Sequence, residues 1–246
     1  MTLPAHAAYE LWAETYPPVA HNPLMRVEQN VVAPLLAHLR AARALDVGTG
    51  SGRYLPLLKA TGAATVCGVD FSLAMLKRPS TELKGGPSTE LRAGPSTELR
   101  AGAATTAARI CGDACRLPFR RGAFDLVNAS LMIGDIADLG VWSREIARVL
   151  GPGGHLVYSD FHPSWAQRGW SRTFRSADGA MHDLSFNPHT VDEHLSALAA
   201  AGLRVRTIRE PRFSAFRDAA DPGIRAFRRR WGNPPVVVVF HAVKEP

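Results

Sequence analysis

Leu45-Asp46-Val47-Gly48-Thr49-Gly50-Ser51-Gly52 is the stretch on which the reading of this chain turns. The short apolar run Arg43-Ala-Leu-Asp-Val47 predicts a strand that enters a tight glycine loop, with a helix through Lys59 beyond it. Glycines at this junction let the backbone approach a ligand closely. The spacing is not the G-x-G-x-x-G of a dinucleotide site, because the third glycine arrives one residue early. An acid, Asp46, also stands just before the first glycine, where it would repel a pyrophosphate and favour an ammonium group or an ordered water.

Outward from this loop the pattern alternates. Residues 64–69 read as a second strand, and Ser72 to Lys77 as a helix capped by Ser72. Further strand-like runs fall at 107–111, 123–129, 155–160, 203–208 and 235–243, with helices near 140–150 and 190–201. Strands alternating with helices imply an α/β fold with a mostly parallel sheet covered on both faces. Ahead of the first strand, residues 5–16 and 24–40 read as helices separated by Pro17, Pro18 and Pro23, and Pro34 predicts a kink or restart in the second. Residues 79–102 stand apart as three copies of an eight-residue unit: Pro-Ser-Thr-Glu-Leu-Lys-Gly-Gly, then Pro-Ser-Thr-Glu-Leu-Arg-Ala-Gly twice. A unit with one Leu and almost no net charge buries too little to order itself, so it reads as a surface insertion.

The 246 residues suit one domain, 1–246, and no apolar run approaches the roughly 18 residues of a membrane span. Residues 1–16 lack the apolar core of a signal peptide, and three cysteines, Cys67, Cys111 and Cys115, form no zinc set; buried thiols in a cytoplasmic protein are the expectation. The formal charge is +7, and Arg outnumbers Lys 25 to 4. Nine arginines between Arg204 and Trp231 face only Glu210, Asp218 and Asp221, so the basicity is local. Its partner could be an acidic substrate, a phosphate or RNA, although a solvated basic face is the plainer explanation.

Two more acids end predicted strands. Asp70, in Val69-Asp70-Phe71, lies 24 residues after Asp46, where a carboxylate can accept from both ribose hydroxyls, and Phe71 can pack on a base. Asp113, in Cys111-Gly112-Asp113-Ala114, can accept from an exocyclic adenine amine. S-Adenosylmethionine carries such an adenosine, an α-amino group and no phosphate.

At this point the chain resembles the class I S-adenosylmethionine-dependent methyltransferases, in particular the broad group of ubiquinone and menaquinone biosynthesis enzymes. The matching stretches are Ala44 to Gly52, Gly68 to Ser72 with Met75-Leu76, Gly112-Asp-Ala114 with Leu117-Pro118-Phe119, Phe124 to Val127, and Arg148 to Gly154. The resemblance implies a Rossmann-like, doubly wound seven-stranded sheet in the order 3-2-1-4-5-7-6 with the last strand antiparallel. It implies S-adenosyl-L-methionine as cofactor, with Asp46, Gly48, Gly50 and Gly52 on the methionine part, Asp70 and Phe71 on the nucleoside, and Asp113 with Ala114 on the adenine. Ser130, at the end of the fourth strand, joins the cofactor contacts. The segment 1–40 commonly lids the cofactor in the family, and by that resemblance Tyr16 and Arg26 contact the cofactor carboxylate or the acceptor. Gly151 to Gly154 reads as the turn before the fifth strand.

The acceptor side carries fewer signals. The Asn/Asp-Pro-Pro-aromatic motif of amino-methyltransferases acting on DNA bases is missing after the fourth strand, and Asn233-Pro234-Pro235 lies too late in the chain to serve. The fifth strand ends at Ser159-Asp160-Phe161-His162-Pro163, so His162 is expected near the pocket mouth, either as a general base for a hydroxyl acceptor or as a structural cap. His182 and His189 are weaker candidates. The first reading is a methyltransferase for a small-molecule acceptor; the alternatives are an RNA methyltransferase gripping phosphates through residues 204–230, and a cofactor-binding protein without turnover. The glycine spacing disfavours a nicotinamide dehydrogenase.

Overall fold

The computed structural model describes residues 2–78, 107–215 and 222–245; the repeat at 79–102 lies outside them. In chain order the elements are β1 (Thr2–Leu3), α1 (Ala5–Trp12), α2 (Pro23–Ala37), β2 (Arg43–Val47), α3 (Leu55–Ala60), β3 (Thr65–Asp70), α4 (Leu73–Leu76), β4 (Ala108–Cys111) and β5 (Phe124–Ser130). Then follow α5 (Leu139–Val149), β6 (Leu150–Phe161), α6 (Ser164–Gln167), β7 (Arg172–Arg175), β8 (Met181–Leu184), α7 (Val191–Ala200), β9 (Leu203–Arg209), α8 (Pro222–Trp231) and β10 (Val237–Lys244).

Seven strands form one sheet in the order β4-β3-β2-β5-β6-β10-β9. All neighbours are parallel except β10, which runs antiparallel to both β6 and β9. This is the expected order and the expected reversal of the last strand.

Strand period two feeds two cores. Leu45, Val127, Leu156, Tyr158, Val238 and Phe240 point to one, beneath α5 and α7, where Trp142 and Leu198 are fully buried. Ala44, Leu126, Val157, Val237 and Val239 point to the other, beneath α2, α3 and α8. Helix α5 presents Leu139, Trp142, Ser143, Ile146 and Ala147 at three- and four-residue spacing and starts at Asp138, whose side chain accepts from the Val141 N–H at 2.9 Å. Asn22 caps α2 in the same way through the Met25 N–H, and Pro34 sits inside that helix without ending it. Thr190 and Glu193 close a reciprocal capping box on α7.

Two expectations are corrected, and one feature was not foreseen. Gly151 to Gly154 is not a turn before the fifth strand but an irregularity within β6, where five steps from Leu150 to His155 oppose two on β5, from Phe124 to Leu126. Cys111 is exposed on the edge strand β4 rather than buried, and all three thiols are free. The sequence also gave no hint of a second sheet, β1-β8-β7, in which the N-terminal strand pairs with the insertion between β6 and α7. Strands of two and four residues, with no motif beside them, carry too little pattern to be read. Ala8, Phe174 and Leu184 form the small core beneath it, with Tyr9 and Trp12 packed on them.

Candidate functional site

The carboxyl ends of β2, β3, β4 and β5 border a cavity of about 460 Å³, within the range of small-molecule and cofactor pockets. After Val47 the chain turns through Gly48, at φ 68°, where a Cβ would lie 2.7 Å from the Met132 side chain; only glycine permits that approach. Gly52 also has positive φ, and a Cβ there would collide with the Arg109 guanidinium. Arg109, on β4, donates to the carbonyls of Ser51, Leu76 and Arg78, clamping the loop to α4. The early third glycine thus makes room for an arginine from the neighbouring strand.

Asp70 ends β3 at the cavity wall. Its carboxylate accepts from the Gly50 N–H at 2.8 Å and the Ser72 N–H at 2.9 Å. Burial raises its pKa, and the two backbone donors pull the other way. Phe71, Gly112, Asp113 and Ala114 continue the same wall. The exposed Asp113 carboxylate accepts from the Cys115 N–H at 2.8 Å, a local turn that fixes its direction. Ser130 and Tyr16 line the cavity too, Tyr16 with its ring edge-on to Trp12.

Asp46 is placed differently. It is 2% exposed and its carboxylate accepts from Asn128 Nδ2 at 2.7 Å and Thr49 Oγ1 at 2.8 Å. It borders a small side recess with Gly48, Gly50, Arg53 and Ser130 instead of the main cavity. Burial pushes its carboxyl up to about 6 against those two hydrogen bonds.

Gly52 and Arg26 do not line the cavity; α2 supplies Leu24 and Met25 instead, with Asn22 at its cap. Nor does His162, and its expected place at the pocket mouth is corrected. Nδ1 is 2.8 Å from Ser164 Oγ and Nε2 is 2.9 Å from Glu210 Oε1, because Pro163 and α6 turn the chain away immediately after β6. His182 and His189 also lie off the cavity, bonded to Ser176 Oγ and the Ile136 carbonyl. None of the described arginines between Arg204 and Arg230 lines it.

Residues that the sequence did not assign to the site complete the wall: Tyr9 from α1, Arg53 after the glycine loop, Asp135 after β5, Phe161 at the end of β6, and Trp170 and Arg172 from the insertion. Arg53 donates to Glu28 Oε2 at 3.1 Å, and Glu28, fully buried on α2, also accepts from Tyr54 Oη and Ser159 Oγ. One carboxylate therefore ties α2 to the start of α3 and to β6. Adjacency to Gly52 was a usable signal for Arg53; Arg172 had none, since its segment carries no motif. Among the described residues no group of three or more His, Cys, Asp or Glu could hold a metal ion, and no helix is long and apolar enough to cross a membrane.

Comparison with known proteins points to the same fold. Residues 45–158 match the family model for a methyltransferase domain, Methyltransf_11. The bifunctional biotin biosynthesis protein BioHC of Cellvibrio japonicus is 30% identical over 214 residues, 84% of this chain and 37% of that one. A demethylmenaquinone methyltransferase of Parafrankia sp. is 42% identical over 143 residues, 58% of this chain and 56% of its own length. The chain thus spans only about a third to a half of these two curated relatives. The crystal structure of an S-adenosylmethionine-dependent methyltransferase from Mesorhizobium loti shares the fold at 21% identity, with a TM-score of 0.64 over 89% of this chain and 98% of that one. The fold is that of the Rossmann-like class I methyltransferases, a class whose cofactor is S-adenosylmethionine. Within the chain, residues 45–158, just under half of its length, are similar to that methyltransferase-domain family.

The residues present fit that cofactor. The Asp70 carboxylate retains acceptor capacity beyond its two backbone bonds, and the glycine loop is held open beside it.

Proposed function

We propose that the chain is a methyltransferase that uses S-adenosylmethionine to modify a hydroxyl, amine or activated carbon of a small-molecule acceptor. The observation that carries this reading is the single cavity wall on which Gly48, Gly50, Asp70, Asp113 and Tyr16 converge. Asp70 accepts from the ribose hydroxyls, Phe71 packs on the base, and Asp113 accepts from the adenine amine. The backbone at Gly48 and Gly50, with Ser130, Arg53 and Tyr16, holds the methionine end, and Asp46 orders the loop from the side through Thr49. When bound, the cofactor supplies an electrophilic methyl group on a sulfonium. What the protein contributes is alignment and exclusion of water, for which the N-terminal segment and the small sheet form the cover.

A small acceptor is favoured over RNA because no described arginine of the 204–230 stretch reaches the cavity. The relatives' names point to small molecules as well. Bacterial origin and a cytoplasmic location belong to the same reading, the latter supported by the free thiols of Cys67, Cys111 and Cys115.

Calorimetric titration with S-adenosylmethionine and with NAD tests the proposal, repeated with Asp70→Ala. Selective binding of S-adenosylmethionine, weakened by the substitution, is expected. Folded protein that binds neither ligand, or prefers NAD, overturns it. Binding without methyl transfer to any acceptor would leave a cofactor-binding protein without turnover.

A further inference from the structure

The strongest unexplained feature is a buried ion pair at the acceptor end of the cavity. Asp135 closes the short 3-10 turn Ile133–Asp135 that follows β5, and Arg172 opens β7 in the insertion. Arg172 Nη1 donates to Asp135 Oδ1 at 2.7 Å, with the two side chains 8% and 7% exposed. Arg172 Nη2 donates to the Tyr9 hydroxyl at 2.5 Å, which brings Tyr9 beside Asp135. Three segments distant in sequence therefore meet at one carboxylate on the cavity wall. Burying such a pair is costly unless every group is satisfied, so its placement here calls for a reason.

We propose that Asp135 receives the methyl acceptor, and that the acceptor presents an O–H or N–H donor to it and is not an anion. The inference rests on the function proposed above and specifies its acceptor side.

Two observations lead there. A carboxylate offers about four acceptor sites, and the side chain of Arg172 takes up one of them at Oδ1, which leaves capacity facing the cavity. Asp70 and Asp113, the other carboxylates on the wall, are engaged with backbone N–H groups on the β3 and β4 side. The second observation is charge. Arg172 faces Asp135 and also senses Asp160, which His194 approaches from α7 at 3.5 Å; Arg53 is paired with Glu28. Each cavity guanidinium is thus matched by a buried carboxylate, and an acidic acceptor would find no uncompensated cation there. Arg172, braced by Tyr9, holds Asp135 in a fixed direction, as a receiving group needs. Tyr9, Phe161 and Trp170 around it offer aromatic faces, which suit a planar acceptor.

The test uses the full chain saturated with S-adenosylhomocysteine and three probes of one shape: phenol, anisole and benzoate. Phenol is expected to bind about 10-fold more tightly than the other two, and Asp135→Asn to weaken phenol about 10-fold, the scale of a hydrogen bond to a charged group. The same variant should keep its S-adenosylhomocysteine affinity within about two-fold, because the cofactor contacts are separate. Tightest binding of benzoate, equal binding of phenol and anisole, or no probe binding up to about 10 mM, a generous limit for a seven-atom ligand, overturns the inference. So does unchanged phenol binding in Asp135→Asn. Should that variant lose S-adenosylhomocysteine as well, the ranking of the three probes on the unmodified protein decides alone. Unmodified protein that fails to bind S-adenosylhomocysteine removes the functional reading itself, and this inference with it.

Discussion

The Asp70 carboxylate holds the glycine loop of the neighbouring strand, accepting the Gly50 N–H at 2.8 Å through Oδ2 while Oδ1 takes the Ser72 N–H. Both oxygens are thus aimed by backbone before any ligand arrives. Asp70→Asn places an amide NH₂ against one of those N–H donors, so the conservative change should behave like removal. S-Adenosylmethionine affinity is expected to fall about 10- to 100-fold, the cost of losing a charge-assisted hydrogen bond, read by calorimetry beside Asp70→Ala.

Gly48 meets Met132 with no room for a methyl group. Gly48→Ala adds a clash to a left-handed backbone, and a loss of about 1–3 kcal/mol in stability is expected from denaturant melts. Met132→Gly in the same chain should recover the part due to the clash but not the part due to φ. Full recovery would show that the backbone is unstrained.

Asp46 sets a pH dependence. Its folded carboxyl stands at about 6 against an ordinary 3.8, raised chiefly by burial. A raised acid favours the folded state only while protonated, so its cost is absent below 3.8, grows between 3.8 and 6, and is complete above 6. The shift corresponds to about 3 kcal/mol at neutral pH. Urea melts of the unmodified protein and Asp46→Asn from pH 4 to pH 7 should converge at the acid end and separate towards neutrality, with the variant gaining. A constant difference would mean that Asp46 does not titrate in this window.

Arg172→Met leaves Asp135 and Asp160 without their buried cation. A loss of about 3–5 kcal/mol is expected for breaking such a pair from one side. Adding Asp135→Asn to that variant should return part of it, since one stranded charge is removed. A double variant no more stable than the single would place the burden on Asp160.

His162 contacts Ser164 and Glu210 outside the cavity. His162→Ala should leave S-adenosylmethionine affinity within about two-fold and cost no more than about 1 kcal/mol, as for a partly exposed pair. A large fall in methyl transfer with cofactor binding intact would restore His162 as a catalytic group.

The amino-acid sequence by itself determined the strands of the large sheet, the glycine loop, and Asp70 and Asp113 at strand ends; the order of the sheet followed only from the family resemblance. Each rests on local patterns: apolar runs of strand length, glycines at a strand end, acids just past strands. Helix caps such as Ser72 were legible for the same reason, since a cap acts on its own next few residues. Only the tertiary structure decided the acceptor end. Tyr9, Asp135 and Arg172 lie up to 163 residues apart, and nothing local to any of them marks a partnership. Nor does the sequence around His162 reveal that a proline and a short helix swing it away, or that Arg109 fills the space left by Gly52. Local patterns bias backbone conformation within a few residues. Which side chains finally share a buried wall depends on how whole elements pack, and packing is a property of the folded chain alone.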